Sequence, residues 1–535
     1  VGVLKAGAIY VALDASLPEA TLQNILIDSR ALLLVADSSM ETLVERLTAE
    51  RIPVVFWDQL ELSQENNTLQ EDFAPDTPAA ILYTTGSTGK PKGVLRSHRR
   101  LLYHGWQATH YLGYCPSDRA THFYSIAYGG STSDIFYPLL TGATIISTRP
   151  ADLSTDELDK WLRREKVTIL HMPVMLYRSY IASLGERKAP ESIRLITLSG
   201  QTVRKEDVIQ FQKLFAPHSI LRVSLQAGEF GHATEFLIDH QTEITTETVP
   251  VGYPSDGFDI MILDENWQPV PNGMKGEIAI RSNQLALEYW GQPELTDQRF
   301  IPDPFLPGAR LCLTGDMGRM HADGLLEHLG RKDFMVKIRG FRAEPEMVEK
   351  VLRTLEGVKD VVVAAYGLPS GDNALVAYVV PWELPGPSAA SLRQELAEEL
   401  PDYLVPSDFI VMESFPLTPS GKLDRLGLPK PEASRPQLST PYVGPRTPYE
   451  EKLCALWSEV LGLKRIGIHD GFLDLGGDSL LAMQLTSRII REFEIDLLPR
   501  TLFEASTVAR MAEIIIQHQL TLLRPEEIEK LMEDS

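Results

Sequence analysis

The segment Tyr83-Thr84-Thr85-Gly86-Ser87-Thr88-Gly89-Lys90-Pro91-Lys92-Gly93 gathers hydroxyls, glycines and lysines on one stretch directly after the apolar run 79–82. Small residues let the backbone approach an anion and lysines offset its charge, so the segment suits phosphate. It is not a G-x-x-x-x-G-K-[ST] loop: Gly86 and Gly89 are separated by two residues, and Pro91 stands where a Ser or Thr would meet magnesium. A second stretch, Asp470 to Leu480, contains Gly477-Asp478-Ser479-Leu480, the tetrapeptide of a group of serine esterases. A nucleophilic serine needs a histidine base. After Ser479 the sequence offers His518, inside an amphipathic pattern near the carboxyl end, so hydrolysis is disfavoured.

These residues need elements to position them. Short apolar runs at 32–35, 53–57, 79–83, 143–147, 168–170 and 195–198 alternate with helical patterns, which predicts an α/β core. One helix opens on Ser154 with Glu157 three residues later, a capping box, and then carries Leu158, Trp161 and Leu162 on one face. From 252 to 327 the pattern turns β-rich and is broken by Pro, Gly and Asn, predicting a smaller sheet appended to the core. Residues 426–448 hold six prolines and no apolar periodicity, as an extended linker does. After it, Thr447 caps a helix with Pro448 at its first position and Glu450 completing the box. Leu453, Leu456, Trp457, Val460 and Leu461 then repeat at helical spacing, predicting a small bundle that ends near residue 518.

Composition narrows the function classes. A chain of 535 residues with 44% hydrophobic and 23% charged residues is ordinary globular material in two or three units. Acidic residues outnumber basic ones by 73 to 51, and no Lys/Arg block could track a phosphate backbone, so nucleic acid is not an expected partner. The three cysteines, Cys115, Cys312 and Cys454, lack disulfide-framework or zinc spacing. No apolar run nears the roughly 18 residues that span a bilayer, so no membrane association is expected and the expected location is cytoplasmic. The chain begins at Val1 inside what reads as the end of a helix followed by a strand, so the amino end is expected to be truncated.

From the glycine- and lysine-bearing segment onward the chain resembles the adenylate-forming superfamily, in particular adenylation domains of nonribosomal peptide synthetases. Further motifs follow in order: 4–14, Gly276-Glu277-Ile278-Ala279-Ile280, Thr314-Gly315-Asp316, Leu329-Gly330-Arg331-Lys332-Asp333 with 336–340, 400–406 and 419–425. The resemblance implies a large α/β domain with an appended β subdomain over 1–332 and a small α+β domain over 333–425. A Pro-rich linker (426–446), an all-α four-helix carrier bundle (447–518) and an acidic tail (519–535) would follow, the tail reading as a docking segment rather than a further catalytic domain.

The implied chemistry joins a carboxylate to ATP, giving an acyl adenylate and pyrophosphate, a union of anions that needs cations and Mg2+ at the phosphate. By resemblance, Thr84, Thr85, Gly86, Ser87, Thr88, Gly89, Lys90 and Lys92 cradle ATP. Asp316 accepts from the ribose hydroxyls, Arg331 adds a ribose or phosphate contact, Lys422 is the mobile lysine bridging the reactants, and Asp333 is the hinge. Two segments compete for the magnesium-binding glutamate: Leu225 to Glu229, and His232 to Glu235. Glu229 is preferred, because Glu235 shortens the stretch to Gly252 below what the family shows. In that register Leu225 stands where an aromatic residue lies against adenine, and Gly228 replaces the threonine.

Amino-acid-activating members carry an Asp that pairs with the substrate ammonium, and here Gly129 occupies that position. A buried ammonium without a carboxylate partner is costly, so a standard α-amino acid is disfavoured. Gly130, Ser133, His171, Ser224 and His232 are candidate pocket positions, and Asp134 reads as the acidic residue opening the next helix. The 470–480 stretch resembles an acyl or peptidyl carrier domain, with Ser479 the attachment point for 4'-phosphopantetheine. The expected partners are therefore a small carboxylic acid, a phosphopantetheinyl transferase and other synthetase modules acting on the carrier. An acyl-CoA ligase, and a degenerate non-catalytic scaffold presenting a carrier, are the alternatives.

Overall fold

The computed structural model describes residues 1–48, 52–60, 73–84, 92–127, 129–332, 336–338, 341–367, 373–416, 427–431, 435, 438, 440–477 and 479–522. Its centre is a seven-stranded sheet in the order Tyr253–Pro254, Thr234–Ile238, Ile220–Val223, Leu195–Ser199, Ile169–Pro173, Arg119–His122, Thr144–Ser147. Strands from Ile220–Val223 onward run parallel, while Thr234–Ile238 joins antiparallel. Parallel sheets are covered on both faces and so read as unbroken apolar runs, and every residue of Leu195–Ser199 is buried. The helices Thr155–Arg164 and Val174–Leu184 help cover it, with Leu158 and Leu162 fully buried and the Ser154/Glu157 capping box formed.

The expected strand runs do not all join this sheet. Among the described residues, 34–36 and 54–56 pair only with each other, as a short parallel ribbon. The strand Pro78–Thr84 belongs to a separate four-stranded sheet with Tyr10–Val11, Lys92–Ser97 and Glu288–Tyr289. The β-rich region forms a five-stranded antiparallel sheet of Asp259–Leu263, Lys275–Arg281, Arg310–Met320, Phe300–Pro302 and Leu326–Arg331.

Two further cores follow. One gathers Val348, Leu352, Val361, Leu396 and Leu404 between the Pro345–Thr354 and Ala389–Glu399 helices and the three-stranded sheet Val358–Gly367, Asn373–Pro381, Asp408–Val411. The other is built by the helices Pro448–Leu461, Ser479–Phe493, Thr501–Glu504 and Val508–Leu522 around Trp457 and Phe472, whose rings meet edge to face at 5.3 Å. Its last helix runs past residue 518. Thr447 caps the first helix by accepting from the Glu450 amide at 3.2 Å. Glu450 does not complete the box. Its carboxylate accepts from the Arg446 amide (2.7 Å) and guanidinium (2.6 Å).

Candidate active site and carrier serine

The phosphate-type segment begins and ends in paired strands: Thr84 and Lys92 are cross-strand partners, as are Tyr83 and Gly93. Thr85, Gly86, Ser87, Thr88, Gly89 and Lys90 lie outside the described residues. Lys92 is buried, and its ammonium pairs at 3.2 Å with Glu344, the residue that caps the Pro345–Thr354 helix of the small domain. The strand Lys92–Ser97 is buried throughout and contains Arg96. Its last residue, Ser97, caps the helix His98–His110 through the Arg100 amide at 3.3 Å.

Glu229 sits in the turn between Gln226–Ala227 and Gly231–His232, which pair with each other antiparallel. It is 1% exposed and accepts from the Tyr289 hydroxyl at 2.6 Å, with Arg96 and Arg299 close enough to act on it electrostatically. Only glycine fits at Gly231: φ is +71°, and a Cβ there would lie 1.3 Å from Arg100 Nη2. Glu235 is engaged elsewhere. Both its oxygens accept from Arg222, at 2.6 and 2.7 Å, in a buried bidentate pair. Leu225 is buried among Phe230, Ala233 and Phe258.

Asp316 stands where the long strand Arg310–Met320 crosses Leu326–Arg331, and its register partner is Arg331. Arg331 Nη1 donates to its carboxylate at 2.9 Å and His328 Nε2 lies at 3.3 Å. Burial pushes the Asp316 carboxyl up, but the His328 hydrogen bond and the Arg331 charge outweigh it and hold the group below the usual aspartate range. Sequence reasoning missed His328: at three residues from Arg331 it falls on the other face of a regular strand, and a register shift in the Asp316–Gly318 pairing accompanies its meeting with Asp316. Asp333 and Lys422 lie outside the described residues.

The pocket candidates fall into two bonded sets. Gly129 and Gly130 precede the helix Ser131–Thr141, where Ser133 Oγ donates to the Gly130 carbonyl at 2.8 Å. Asp134, on its first turn, is hydrogen-bonded to His171 Nδ1; His171 Nε2 meets Ser199 Oγ at 3.1 Å, and Ser199 shares a 2.5 Å hydrogen bond with Tyr124. His171 is therefore satisfied on both ring nitrogens. The second set is Ser224 Oγ with His232 Nδ1 at 2.8 Å. Burial, reinforced by Arg222, His104 and His171, keeps His232 well below the usual histidine range and hence neutral. A Cβ built on Gly129 would find, among the described residues, one heavy atom within 4 Å: Arg96 Nη2 at 3.7 Å. Arg96 also went unread in the sequence, because the burial of its strand is set by the fold.

Ser479 opens the helix Ser479–Phe493, immediately beyond Gly477 in the described chain. A Cβ on Gly477 would lie 2.5 Å from the Phe472 carbonyl oxygen, so the turn into the helix closes tightly because it lacks a side chain. The same helix docks on the large domain. Ser487 Oγ meets Thr155 Oγ1 at 2.8 Å, Gln484 donates to Ser179 Oγ at 2.7 Å, Arg491 donates to the Ser183 carbonyl at 3.0 Å, and Met483 enters the large-domain core. On its other side the carrier reaches the small domain, where a Cβ on Gly476 would sit 3.8 Å from Ser407 Cβ.

Residues 1–290 match the AMP-binding enzyme family, 347–422 the AMP-binding enzyme C-terminal domain, and 451–515 the phosphopantetheine attachment site. A linear gramicidin synthase polypeptide of Brevibacillus parabrevis is 36% identical over 515 residues, which is 96% of this chain and 6% of that protein. The dimodular nonribosomal peptide synthase of Bacillus subtilis (strain 168) is 36% identical over 531 residues, 96% of this chain and 22% of its own length. The chain thus spans a small part of the relatives it matches. Among solved structures, a four-domain nonribosomal peptide synthetase bound to AMP and glycine is 30% identical with TM-score 0.55, covering 96% of this chain and 38% of that one. A holo synthetase protein containing adenylation and PCP domains, bound to a vinylsulfonamide inhibitor, is 21% identical with TM-score 0.77, covering 96% and 85%, and shares the fold. By its ordered domains and their matches, the chain belongs to the AMP-binding enzyme family, as an adenylate-forming ligase of the nonribosomal peptide synthetase type followed by a phosphopantetheine attachment domain.

Proposed function

We propose that this chain activates a carboxylic acid other than a standard α-amino acid and loads it onto its own carrier. In the first step a carboxylate oxygen attacks the α-phosphorus of ATP, the bond to the β-phosphate's bridging oxygen breaks, and pyrophosphate leaves. In the second, a thiolate attacks the acyl carbonyl and AMP leaves. The observation that carries the reading is one chain holding both an Asp316–Arg331 clamp suited to ribose hydroxyls and a helix that opens at Ser479 while docked on the same large domain through Ser487 and Thr155.

Asp316, kept ionised by His328 and Arg331, accepts from two neighbouring hydroxyls. The segment Thr84 to Lys90, with Lys92, cradles phosphate oxygens, which compete with Glu344 for the Lys92 ammonium. Glu229 is the residue that would hold Mg2+, since Glu235 has both oxygens committed to Arg222. Magnesium takes one or two carboxylates plus substrate phosphates, and the single buried carboxylate of Glu229 fits that pattern. When bound, the ion supplies charge stabilisation at the phosphates. Lys422 bridges carboxylate and phosphate in the first step and withdraws as the small domain turns about Asp333. The phosphopantetheine arm, when attached at Ser479, supplies the thiol. A phosphopantetheinyl transferase and neighbouring synthetase modules are the partners this requires.

An α-ammonium placed at Gly129 would find no carboxylate there and a guanidinium 3.7 Å from the Cβ position. The acid therefore lacks the ammonium: α-keto, α-hydroxy, aryl or fatty acids are the candidates. The test is ATP–pyrophosphate exchange with each amino acid beside its keto and hydroxy counterparts. Separately, Ser479 should gain about 340 Da, the composition of the arm, with a transferase and coenzyme A. Exchange that favours the amino member of the pairs rejects the substrate reading; no exchange with any acid leaves a scaffold that presents a carrier.

A further inference from the structure

Arg96, which faces Gly129, acts electrostatically on a second buried arginine that the chemistry above does not use. Arg100, on the first turn of the His98–His110 helix, is 1% exposed, and its Nε, Nη1 and Nη2 are all buried without a hydrogen-bond partner among the described residues. Its guanidinium stacks over Tyr103 at 5.6 Å and packs against Gly231. His104, one turn further, is 2% exposed with both ring nitrogens in the same condition. Among the described residues Arg96 donates to neutral oxygens, the Gly228 carbonyl at 3.1 Å and Thr132 Oγ1 at 3.3 Å, and its Nη2 faces the space before Gly129.

The nearby carboxylates face other partners, although Asp134 uses only one of its two oxygens. Glu235 is held by Arg222, Asp134 by His171, and Glu229 is the oxygen donor assigned above to Mg2+. The charged groups that act on Arg100 are another cation, Arg96, and the phenols of Tyr137 and Tyr103; burial comes first and, with Arg96, pushes the guanidinium down to about 10. His104 is held well below the usual histidine range by burial and by Arg100, Arg96 and Arg222. A buried guanidinium without an anion is among the costliest arrangements a fold can keep. It becomes favourable when a carboxylate enters, because Arg presents paired donors to planar anions and the surrounding dielectric is low.

Resting on the activation reading above, we propose that Arg96 and Arg100 form an anionic subsite, so that the acid activated carries a second carboxylate held by this guanidinium pair while the first is adenylated. Gly129 serves this by leaving open the space that Arg96 faces, and His104 remains a neutral donor to the same group.

The experiment is exchange with straight-chain dicarboxylic acids from malonic to adipic, each beside its mono-amide, on the full chain and on Arg100→Met and Arg100→Lys. The diacid of at least one length should exceed its amide in kcat/KM by about a hundredfold, the scale of an unpaired against a paired buried charge. Arg100→Met should erase that preference chiefly through KM, while Arg100→Lys retains part of it. Without ATP, the preferred diacid should raise the melting temperature of the wild type and not of Arg100→Met. An amide equal to or better than its diacid at every length overturns the subsite, as does a preference that survives in Arg100→Met. Exchange confined to neutral acids rejects the subsite and leaves activation standing; no exchange with any acid, while Ser479 still accepts its arm, rejects both.

Discussion

Lys92 Nζ lies 3.2 Å from Glu344 Oε1, with both side chains buried, so the strand after the phosphate-type segment is ionically tied to the small domain. A phosphate that met this lysine would have to share its ammonium with Glu344 or draw it away. On the proposed reading the pair competes with phosphate for Lys92, and it joins the strand to the same small domain that the carrier approaches at Ser407.

Glu344→Gln should weaken that arrangement, since removing one partner leaves a buried uncompensated cation. Pyrophosphate exchange should hold or rise, while transfer of the acyl group to the carrier falls about tenfold, a barrier change of the order of one broken contact. Loss of both steps in equal proportion would show that the pair does not select between them.

The two competing glutamates should separate cleanly. Glu235→Gln leaves Arg222 buried without its anion and should cost about 3–5 kcal/mol of stability, read as a lower urea midpoint. Glu229→Gln should keep the fold but lower exchange by about two orders of magnitude and raise the magnesium concentration needed for half-maximal rate. The opposite pattern would move the metal to Glu235.

At the docked carrier helix, Ser487→Arg places a long cation against Thr155, where the two hydroxyls now meet at 2.8 Å. Thioester loading should fall about tenfold or more while exchange and modification of Ser479 stay unchanged, because the substitution touches neither site. Unaltered loading would mean that this contact plays no part in transfer.

Lys422→Ala should reduce exchange by about two to three orders of magnitude, the usual loss for one charge-compensating contact, and spare transfer from a supplied acyl adenylate. Near-normal exchange would reject the lysine.

Asp316 has its folded carboxyl held below the ordinary range, so it contributes stability above that range and loses the contribution as pH falls through the depressed value. Asp316→Asn should accordingly lower the urea midpoint near neutrality and flatten its decline toward acid. An identical slope in both proteins would contradict the clamp with His328 and Arg331.

The sequence by itself determined what depends on contiguous residues. Alternating apolar runs and helices foretold an α/β fold, helical periodicity after residue 447 foretold a final bundle, and the ordered motifs pointed to the adenylate-forming family. Those signals are local: a capping box, a glycine turn or a strand of Leu, Ile and Thr owes its form to neighbours within a few positions. Tertiary structure alone decided which charges meet. Nothing in spacing ties Arg222 to Glu235, Asp134 to His171 or Lys92 to Glu344, because each pair is brought together by separate elements of the fold. The same holds for Arg96 and Arg100, which become buried cations only when the strand Lys92–Ser97 and the helix after it are buried together. Burial sets the cost of a charge, and burial is a property of the assembled fold.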